Sequence, residues 1–206
     1  MTLSASEVNK LRFEETTEGL LPAFRQRWSP RSFLEKEVPP AVLRNVFESA
    51  RWAASSGNGQ PWRFLVGIRP SATYNKIASA LVEFNKEWAL HAPVLILGIT
   101  NSLNARGAVN TYALYDLGAA SAFLTLEATA QGLAAHQMGG FSHDAIRKAL
   151  DIPDSYLLGS VIALGYQGEP ENLASEALIA REVAPRERKP LSEMVFSAWG
   201  EPANLG

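Results

Sequence analysis

The polar loop from Ala54 to Trp62 contains the residue types that a ligand-binding surface needs. It reads Ala-Ser-Ser-Gly-Asn-Gly-Gln-Pro-Trp and lies between an apolar helical pattern and an apolar strand pattern. Ser, Asn and Gln side chains donate and accept hydrogen bonds, and glycines let backbone amides approach a ligand or adopt a positive φ. The alternative is an ordinary helix-to-strand turn, which favours the same residues. The loop alone leaves both interpretations open.

A second polar group surrounds Pro30. This proline disfavours a helical conformation at Ser29, so we expect an extended chain from Arg27 to Arg31. Alternate residues of an extended chain face the same side, which places Arg27, Ser29 and Arg31 together. Two guanidinium groups beside a hydroxyl suit an anion such as phosphate. A solvated basic patch on a turn is the alternative interpretation.

Helical and strand patterns alternate along the chain that carries these two groups. The periodicity predicts helices at about 6–24, 39–54, 72–91, 108–131 and 142–150, and strands at 63–69, 94–100, 134–137 and 156–166. The run from Val94 to Thr100 is apolar throughout, which is typical of a central strand buried on both faces. Small residues around Gly118 predict that the 108–131 helix is the most buried one. We expect Asp116, in its middle, to be a structural carboxylate bonded to backbone.

Length and composition favour one domain, residues 1–206, because 206 residues with 47% hydrophobic content can form one well-buried core. From about residue 167 the chain has no strong period and still contains many large apolar side chains. Those considered are Leu178, Ile179, Val183, Leu191, Met194, Val195, Phe196 and Trp199. A tail of this kind docks on its own domain or on another subunit.

Composition argues against several classes of function. A net charge of −2 gives no basic field for nucleic acid or for a membrane surface, and the absence of cysteine removes disulfides and thiolate chemistry. The three histidines, His91, His136 and His143, lie on different predicted elements, so no metal site is expected. No signal-peptide pattern and no apolar run of roughly 20 residues is present. We therefore expect a cytoplasmic protein without nucleic-acid or membrane partners.

Four segments in register resemble the nitroreductase family of flavoproteins. Residues 27–33 (RWSPRSF) resemble its Arg-x-Ser-x-Arg-x-Phe element, and residues 55–62 (SSGNGQPW) resemble its Ser-Ser-x-Asn-x-Gln-Pro-Trp loop. Residues 138–141 (MGGF) resemble its Gly-Gly-Phe turn, and residues 186–191 (RERKPL) its closing basic element. Each segment alone is a weak signal, but their order and separation extend the resemblance over nearly the whole chain.

The resemblance implies an architecture and a set of partners. The fold would be α+β, with a central, mostly antiparallel sheet flanked by helices. Two subunits would form a homodimer, exchange their C-terminal segments from about residue 167 to 206, and bind FMN at their interface. NAD(P)H would be the electron donor and a small molecule the acceptor. The apolar tail is consistent with such an exchange.

Cofactor-binding residues also follow from the resemblance. Arg27, Ser29, Arg186 and Arg188 would hold the FMN phosphate, and Arg31 would lie near the N1 and C2 carbonyl edge, where a cation stabilises reduced flavin. Asn85 would bond the pyrimidine edge, and a backbone amide of the turn Gly139-Gly140 would meet N5. The full implied set is Arg27, Trp28, Ser29, Arg31, Ser55, Ser56, Asn58, Gln60, Asn85, Gly139, Gly140, Arg186 and Arg188. Residues Ser55 to Gln60 would reach the flavin of the other subunit.

The implied activity is reduction of electron-poor acceptors, such as nitroaromatics and quinones, by NAD(P)H in a ping-pong cycle through flavin N5. No catalytic side chain is required, because the hydride moves directly to and from N5. Alternatives are a protein that binds or senses FMN without turnover, or a specialised member such as a reductive dehalogenase or a flavin-fragmenting enzyme. Three departures from the family pattern, at Trp28, Ala54 and Gly139, bear on substrate range.

Overall fold

In residues 3–12 and 19–205, which the computed structural model describes, the chain forms eight α-helices and seven strands. The helices are α1 (Ala5–Leu11), α2 (Pro22–Gln26), α3 (Pro40–Arg51), α4 (Ala72–Ala80), α5 (Glu83–Ala89), α6 (Ala113–Ala130), α7 (His143–Ala149) and α8 (Glu176–Val183). The strands are β1 (Phe33–Leu34), β2 (Trp62–Ile68), β3 (Val94–Asn101), β4 (Ala134–Met138), β5 (Tyr156–Gln167), β6 (Phe196–Ala198) and β7 (Glu201–Pro202).

Five of the strands form one sheet around β5. Strand β5 pairs with β1, β3 and β4, and β3 also pairs with β2. All four pairings are antiparallel. Strand β3 therefore lies between two neighbours, and its residues are buried from Val94 to Thr100. This confirms the predicted central strand and the predicted α+β fold with its antiparallel sheet; exchange of the C-terminal segment stays a prediction.

Side chains of β3 alternate between two cores because successive strand residues face opposite sides of a sheet. Leu95 and Leu97 lie in one core, with apolar residues of α4, α5 and α7. Val94 and Ile96 lie in the other core, with residues of α3 and α6. The continuous apolar pattern of β3 thus follows from helices that cover both faces of the sheet.

The predicted helix over 72–91 is wrong in one respect, because the chain forms two helices, α4 and α5. Helix α4 ends at Ala80, and Leu81 adopts an extended conformation with ψ 146°. Leu81 forms a β-bridge with Phe141, and the Val82 amide donates to the carbonyl of Gly140 at 3.1 Å. Neither Leu81 nor Val82 breaks a helix by its own propensity. Tertiary pairing with the glycine turn interrupts the helix.

The predicted helix over 6–24 is also wrong as one continuous element. Helix α1 ends at Leu11, residues 13–18 lie outside the described part, and Gly19 has a left-handed φ of 90°. Helix α2 begins only at Pro22, in the first helical position that proline favours. Of the large apolar residues in this range Val8 is buried, whereas four others are exposed: Leu11, Leu20, Leu21 and Phe24.

The segment after residue 167 divides into two parts. Although its sequence has no strong period, residues 176–183 form α8, and Leu173 and Leu178 are buried in the chain's own core. Beyond α8, the large apolar side chains of Leu191, Met194 and Trp199 are exposed, Trp199 to 96%. Strands β6 and β7 form a small separate sheet in this exposed part. Docking on a partner subunit stays a prediction, and it now concerns the exposed part.

Helix α6 buries one face and exposes another. Leu117, Ala120 and Leu124 pack in the core, and the predicted stop at Gly132 has a left-handed φ of 75°. On the other side, Tyr115 is 77% and Phe123 45% exposed, with Gly118 and Ala122 exposed beside them. The prediction of the most buried helix holds for one face only of the single chain.

Membrane insertion of a helix has no support in the described ranges, since none of their helices combines the length and the apolar character that crossing a bilayer requires.

Replacement of Gly67 tests the contact between the sheet and α4. A Cβ atom at Gly67 would lie 2.5 Å from the backbone nitrogen of Tyr74, so helix α4 would have to move. We expect Gly67→Ala to lower the free energy of unfolding by about 1–3 kcal/mol through overpacking. Urea denaturation measures this change. Lys76→Ala, on the exposed side of α4, is the control and should change it by less than about 0.5 kcal/mol.

Candidate functional site

The segment from Arg27 to Pro30 is extended, as its sequence predicts. Helix α2 ends at Gln26, and Arg27 already has ψ 123°. Trp28 and Pro30 are buried, while Arg27, Ser29 and Arg31 are partly exposed. The alternation that is expected of an extended chain therefore points the apolar residues inward and leaves the polar residues available.

These polar residues line a cavity of about 220 Å³. Its walls are formed by eight residues: Arg12, Arg27, Trp28, Ser29, Arg31, Arg181, Arg186 and Arg188. The structure thus brings together six of the predicted site residues, from two segments about 160 positions apart, and adds Arg12 and Arg181. We call this space the arginine cavity. Six guanidinium groups around so small a volume suit a multiply charged anion.

The positive charges of the arginines around this cavity repel one another. Burial, together with the positive charges of Arg188 and Arg186, lowers the pKa of Arg27. Neither Arg27 nor Arg31 forms an ion pair with a carboxylate within residues 3–12 and 19–205. The Nε atom of Arg31 is buried and has no hydrogen-bond partner in the same ranges. The donors that line the cavity are therefore in excess of the protein acceptors.

Two of the arginines also bind main-chain carbonyl groups. Arg186 donates to the carbonyl oxygen of Arg27 at 2.8 Å and to that of Arg25 at 3.3 Å. Arg12 lies 3.9 Å above the centre of the Trp28 ring and donates to the carbonyl oxygen of Glu182 at 2.7 Å. Segments that are distant in sequence are thus held against the 27–31 segment, and predicted site residue Trp28 forms part of that contact.

Two buried or partly buried side chains hold the backbone next to the cavity. Glu182, on α8, is fully buried and accepts hydrogen bonds from the amides of Arg31 and Ser32. Burial raises the pKa of Glu182, although these two amides and the charge of Arg31 oppose the rise. On the other side, Nδ1 of His136 lies 2.9 Å from the carbonyl oxygen of Pro30. Burial lowers the pKa of His136 to about 4, so the ring is neutral at pH 7 and its Nδ1–H donates.

Asn85 and the Gly139-Gly140 turn form a second group. Asn85 is 7% exposed, and its side-chain amide donates to the carbonyl oxygen of Gly140 at 2.9 Å. A Cβ atom at Gly140 would lie 2.6 Å from Nδ2 of Asn85, so the Asn85 side chain would have to shift to accommodate it. The turn directly follows β4, and the fold brings Asn85 and the glycine pair together, whereas their predicted contacts with the flavin stay predictions.

The loop before β2 has an unusual backbone. Helix α3 ends at Arg51, earlier than predicted, and residues 56–58 form a single 3-10 turn. Gly57, Asn58 and Gln60 all have left-handed φ angles between 45° and 55°. Such a conformation costs roughly 1–2 kcal/mol for a residue with a side chain. The loop therefore needs other contacts to hold its shape.

Hydrogen bonds within the loop and one buried carboxylate supply those contacts. Ser55 Oγ accepts from the amide of Gln60 at 3.0 Å, and Nε2 of Gln60 donates to the side-chain oxygen of Asn58 at 3.1 Å. The carboxylate of Asp116, 2% exposed, accepts from the amide of Ser56 at 3.2 Å. This confirms the expectation that Asp116 is a structural carboxylate bonded to backbone.

The loop and the arginine cavity do not meet in one chain. Trp62 pairs with Thr100, and Thr100 pairs with Leu157 at the start of β5. Phe33, which follows the arginine segment, pairs with Gln167 at the other end of β5. At a rise of about 3.3 Å per residue, the two positions on β5 are about 30 Å apart. Ser56 borders a different cavity, of about 590 Å³.

Comparison with known proteins agrees with these features. The model of the Nitroreductase family matches residues 24–87 and 68–166, which contain the arginine segment, the loop, Asn85 and the glycine turn. The chain belongs to the nitroreductase family. The sequence-based identification, and with it the oxidoreductase class, is confirmed.

Three relatives of this nitroreductase-family chain differ in length and name. An uncharacterised 15.4 kDa protein of Mycolicibacterium smegmatis is 35% identical over 148 residues, 68% of this chain and 99% of that protein. A protein of Thermus thermophilus named NADH dehydrogenase is 25% identical over 203 residues, 83% of this chain and 92% of that protein. A solved structure described as an oxidoreductase containing FMN is 33% identical, with a TM-score of 0.83, and covers 96% of this chain and 97% of that chain.

Sequence reasoning missed three residues around the arginine cavity, Arg12, Arg181 and Glu182. The family match begins at residue 24 and ends at residue 166, so all three lie outside it. One local signal existed for Glu182, which follows the buried Leu178 by four positions and so falls on the apolar face of α8. For Arg12 and Arg181 the sequence offers no comparable signal, since both reach the cavity only through the tertiary fold.

Substitution of Asp116 tests how the loop is held. We expect Asp116→Asn to lower the free energy of unfolding by about 1 kcal/mol, because a neutral acceptor replaces a charged one at the Ser56 amide. Hydrogen exchange of the amides in residues 55–60 should become faster, as mass spectrometry of that peptide would measure. Asp154→Asn, at an exposed carboxylate, is the control. Unchanged exchange in the Asp116 variant would contradict this role.

Proposed function

We propose that this protein is an FMN-dependent oxidoreductase that uses NAD(P)H to reduce electron-poor acceptors such as nitroaromatics and quinones. Membership of the nitroreductase family supports the reaction class. The structural neighbour described as containing FMN supports the cofactor, and the relative named NADH dehydrogenase supports a nicotinamide donor. The acceptor class follows from the family's name.

The observation that carries the proposal is the spacing of two donor groups, one beside β4 and one at the turn that follows it. The arginine cavity lies beside His136, which contacts the carbonyl of Pro30. Gly140, with Asn85 against it, follows His136 by four residues, which span at most about 13 Å. A phosphate site and a site for the polar edge of a ring system at this separation suit the two ends of FMN. The buried, unpartnered Nε of Arg31 is a further donor available to an anion.

In this proposal each predicted residue has a distinct role. Arg27, Ser29, Arg186 and Arg188 hold the phosphate, with Arg186 already fixed by its bonds to carbonyl groups. Arg31 places a cation beside the N1 and C2 carbonyl edge, where it favours the negative charge of the reduced ring. Asn85 orients the pyrimidine edge, and the turn at Gly139 and Gly140 offers a backbone amide toward N5.

FMN, when bound, supplies hydride transfer at N5 between the nicotinamide donor and the acceptor. The protein then contributes binding, orientation and electrostatics, and no side chain has to act as a nucleophile or general base. His136 is neutral because its pKa is about 4, so it holds Pro30 without adding a charge to the cavity. Burial of Trp28 and Pro30 limits the access of water from the protein side.

A second copy of the chain completes the proposed site. The loop residues Ser55, Ser56, Asn58 and Gln60 precede Trp62, which lies level with Leu157 of β5, whereas the arginine segment contacts His136, which pairs with Ala163. These two positions on β5 are about 20 Å apart, and we infer that one chain does not place both groups on the same cofactor. In a homodimer, the loop of each subunit would contact the flavin held by the arginine cavity of the other.

Exposed apolar surface supports the homodimer. The face of α6 around Tyr115, Gly118 and Phe123 is unusual for a helix in contact with water, and small residues allow close approach of a second helix. The exposed part of the chain after α8 presents Trp199 and Met194 to solvent as well. Patches of this kind mark association surfaces in proteins, and both are available to a second copy.

Reconstitution with FMN tests the proposed reaction. Purified protein should bind FMN and be yellow, and anaerobic addition of NADH or NADPH should bleach the colour because the flavin becomes reduced. A nitroaromatic or a quinone should then restore the colour. Bound flavin that no nicotinamide donor bleaches would indicate a binding protein without turnover. Failure to bind FMN at all would overturn the proposal.

Mixing two inactive variants tests the shared site. Arg27→Ala with Arg188→Ala should lose FMN, since each charge-assisted contact contributes about 1.5–3 kcal/mol. Asn58→Ala with Gln60→Ala should impair the loop of the opposite subunit. After subunit exchange in an equal mixture, half of the dimers combine both variants and contain one intact site, so about a quarter of wild-type activity should return. Activity no higher than that of the separate variants would contradict a site built from two subunits.

A further inference from the structure

A buried carboxylate lies directly behind the arginine cavity and forms no ion pair with the arginines. Glu182 is fully buried, and its two oxygens accept from the amide of Arg31 at 2.9 and 3.0 Å and from the amide of Ser32 at 3.1 Å. No Glu182 ion pair with a guanidinium group occurs within residues 3–12 and 19–205. The carboxylate therefore binds the backbone of the segment whose side chains line the cavity.

The same short segment is bonded on its other sides. Nδ1–H of His136 donates to the Pro30 carbonyl, and the hydroxyl of Ser32 donates to the carbonyl of Glu169 at 2.6 Å. The amide of Gly168 donates to the carbonyl of Ser32 at 2.9 Å. Glu182 holds two consecutive amides with one charged acceptor, whereas these three bonds are neutral, and charge-assisted bonds are about twice as strong as neutral ones. It therefore binds the Arg31-Ser32 backbone more strongly than they do.

The orientation of the Glu182 carboxylate affects which arginine donors remain available to a phosphate. If the acceptor were a carboxylate that faced the guanidinium groups, it would compete with a phosphate for their donors. Glu182 instead points at peptide N–H groups, and Arg12 reaches only its main-chain oxygen. The guanidinium group of Arg31 thus stays available, with its Nε buried and unpartnered in the described ranges.

We propose that Glu182 is a positioning residue for phosphate recognition: it fixes the Arg31-Ser32 backbone so that the arginine side chains converge on the phosphate of the cofactor. This inference rests on the proposed FMN function. It concerns the phosphate end of the ligand. Of the residues that the proposed function assigns to the ring, Asn85 and the glycine turn are separate from it, whereas the backbone of Arg31 is held by the same carboxylate.

The experiment compares FMN with riboflavin, which has the same ring and ribityl chain without the phosphate. Affinities of the apoprotein for both are measured by quenching of flavin fluorescence. We expect Glu182→Gln to weaken FMN binding about tenfold, the loss of one charge-assisted bond, and Glu182→Met to weaken it further. Riboflavin affinity should change less than about threefold in the Gln variant. Glu171→Gln, an exposed carboxylate two residues after Glu169, is the control.

The outcomes separate the possible roles of Glu182. Equal weakening of FMN and riboflavin in the Gln variant would indicate a general structural role and overturn the inference. Unchanged or tighter FMN binding would overturn it too, because a residue that acts only as a competing negative charge would give that result. The FMN and riboflavin affinities of the Gln variant are sufficient to test the inference even if the Met variant does not fold. If the wild-type protein binds neither flavin, the proposed function fails first, which is a distinguishable result.

Discussion

The pairing of β5 with three other strands is the constraint on which the remaining structure depends. Its register places the start of β2 at one end of β5 and the start of β1 at the other. The start of β1 and the start of β2 are thereby separated by about 30 Å along β5. Backbone hydrogen bonds in a buried sheet fix this separation, so side-chain flexibility cannot close it. The proposal that each chain holds only part of an FMN site follows from this geometry.

Much of this fold could be predicted from local patterns. Strand β3 follows directly from its continuous apolar run, α6 lies within the predicted helix over 108–131, and Ser142 caps α7 through its hydroxyl. One failure has a clear physical cause, because the break at Leu81 is imposed by a bridge to Phe141. Long-range strand pairing and isolated turns hardly change the hydrophobic periodicity of a sequence, so a prediction from periodicity misses them.

The residues of the candidate site also divide into those that local sequence rules identify and those that they do not. The polar loop, Arg27, Ser29 and Arg31 could be found because local rules for proline and for alternating residues act on them. The convergence of Arg186 and Arg188 on the same cavity was indicated only by family resemblance, and Arg12 and Arg181 were indicated by nothing local. Like charges do not attract one another, so no local pattern predicts that six arginines gather. Their positions are the result of bonds from guanidinium groups to carbonyl oxygens and of the buried Glu182 behind them.

Such a cavity is costly for the folded chain and favourable for an anionic ligand. Burial raises the pKa of Glu182, so its ionised form opposes folding above the unfolded pKa, while the amides and arginines around it offset part of that cost. Burial likewise lowers the pKa of Arg31 and of Arg12. An anion bound in the cavity would offset this cost of burial, because its negative charge pairs with the guanidinium groups. Anion binding and folding are therefore linked, and association through α6 would add to both by bringing the second half of the site to the ligand.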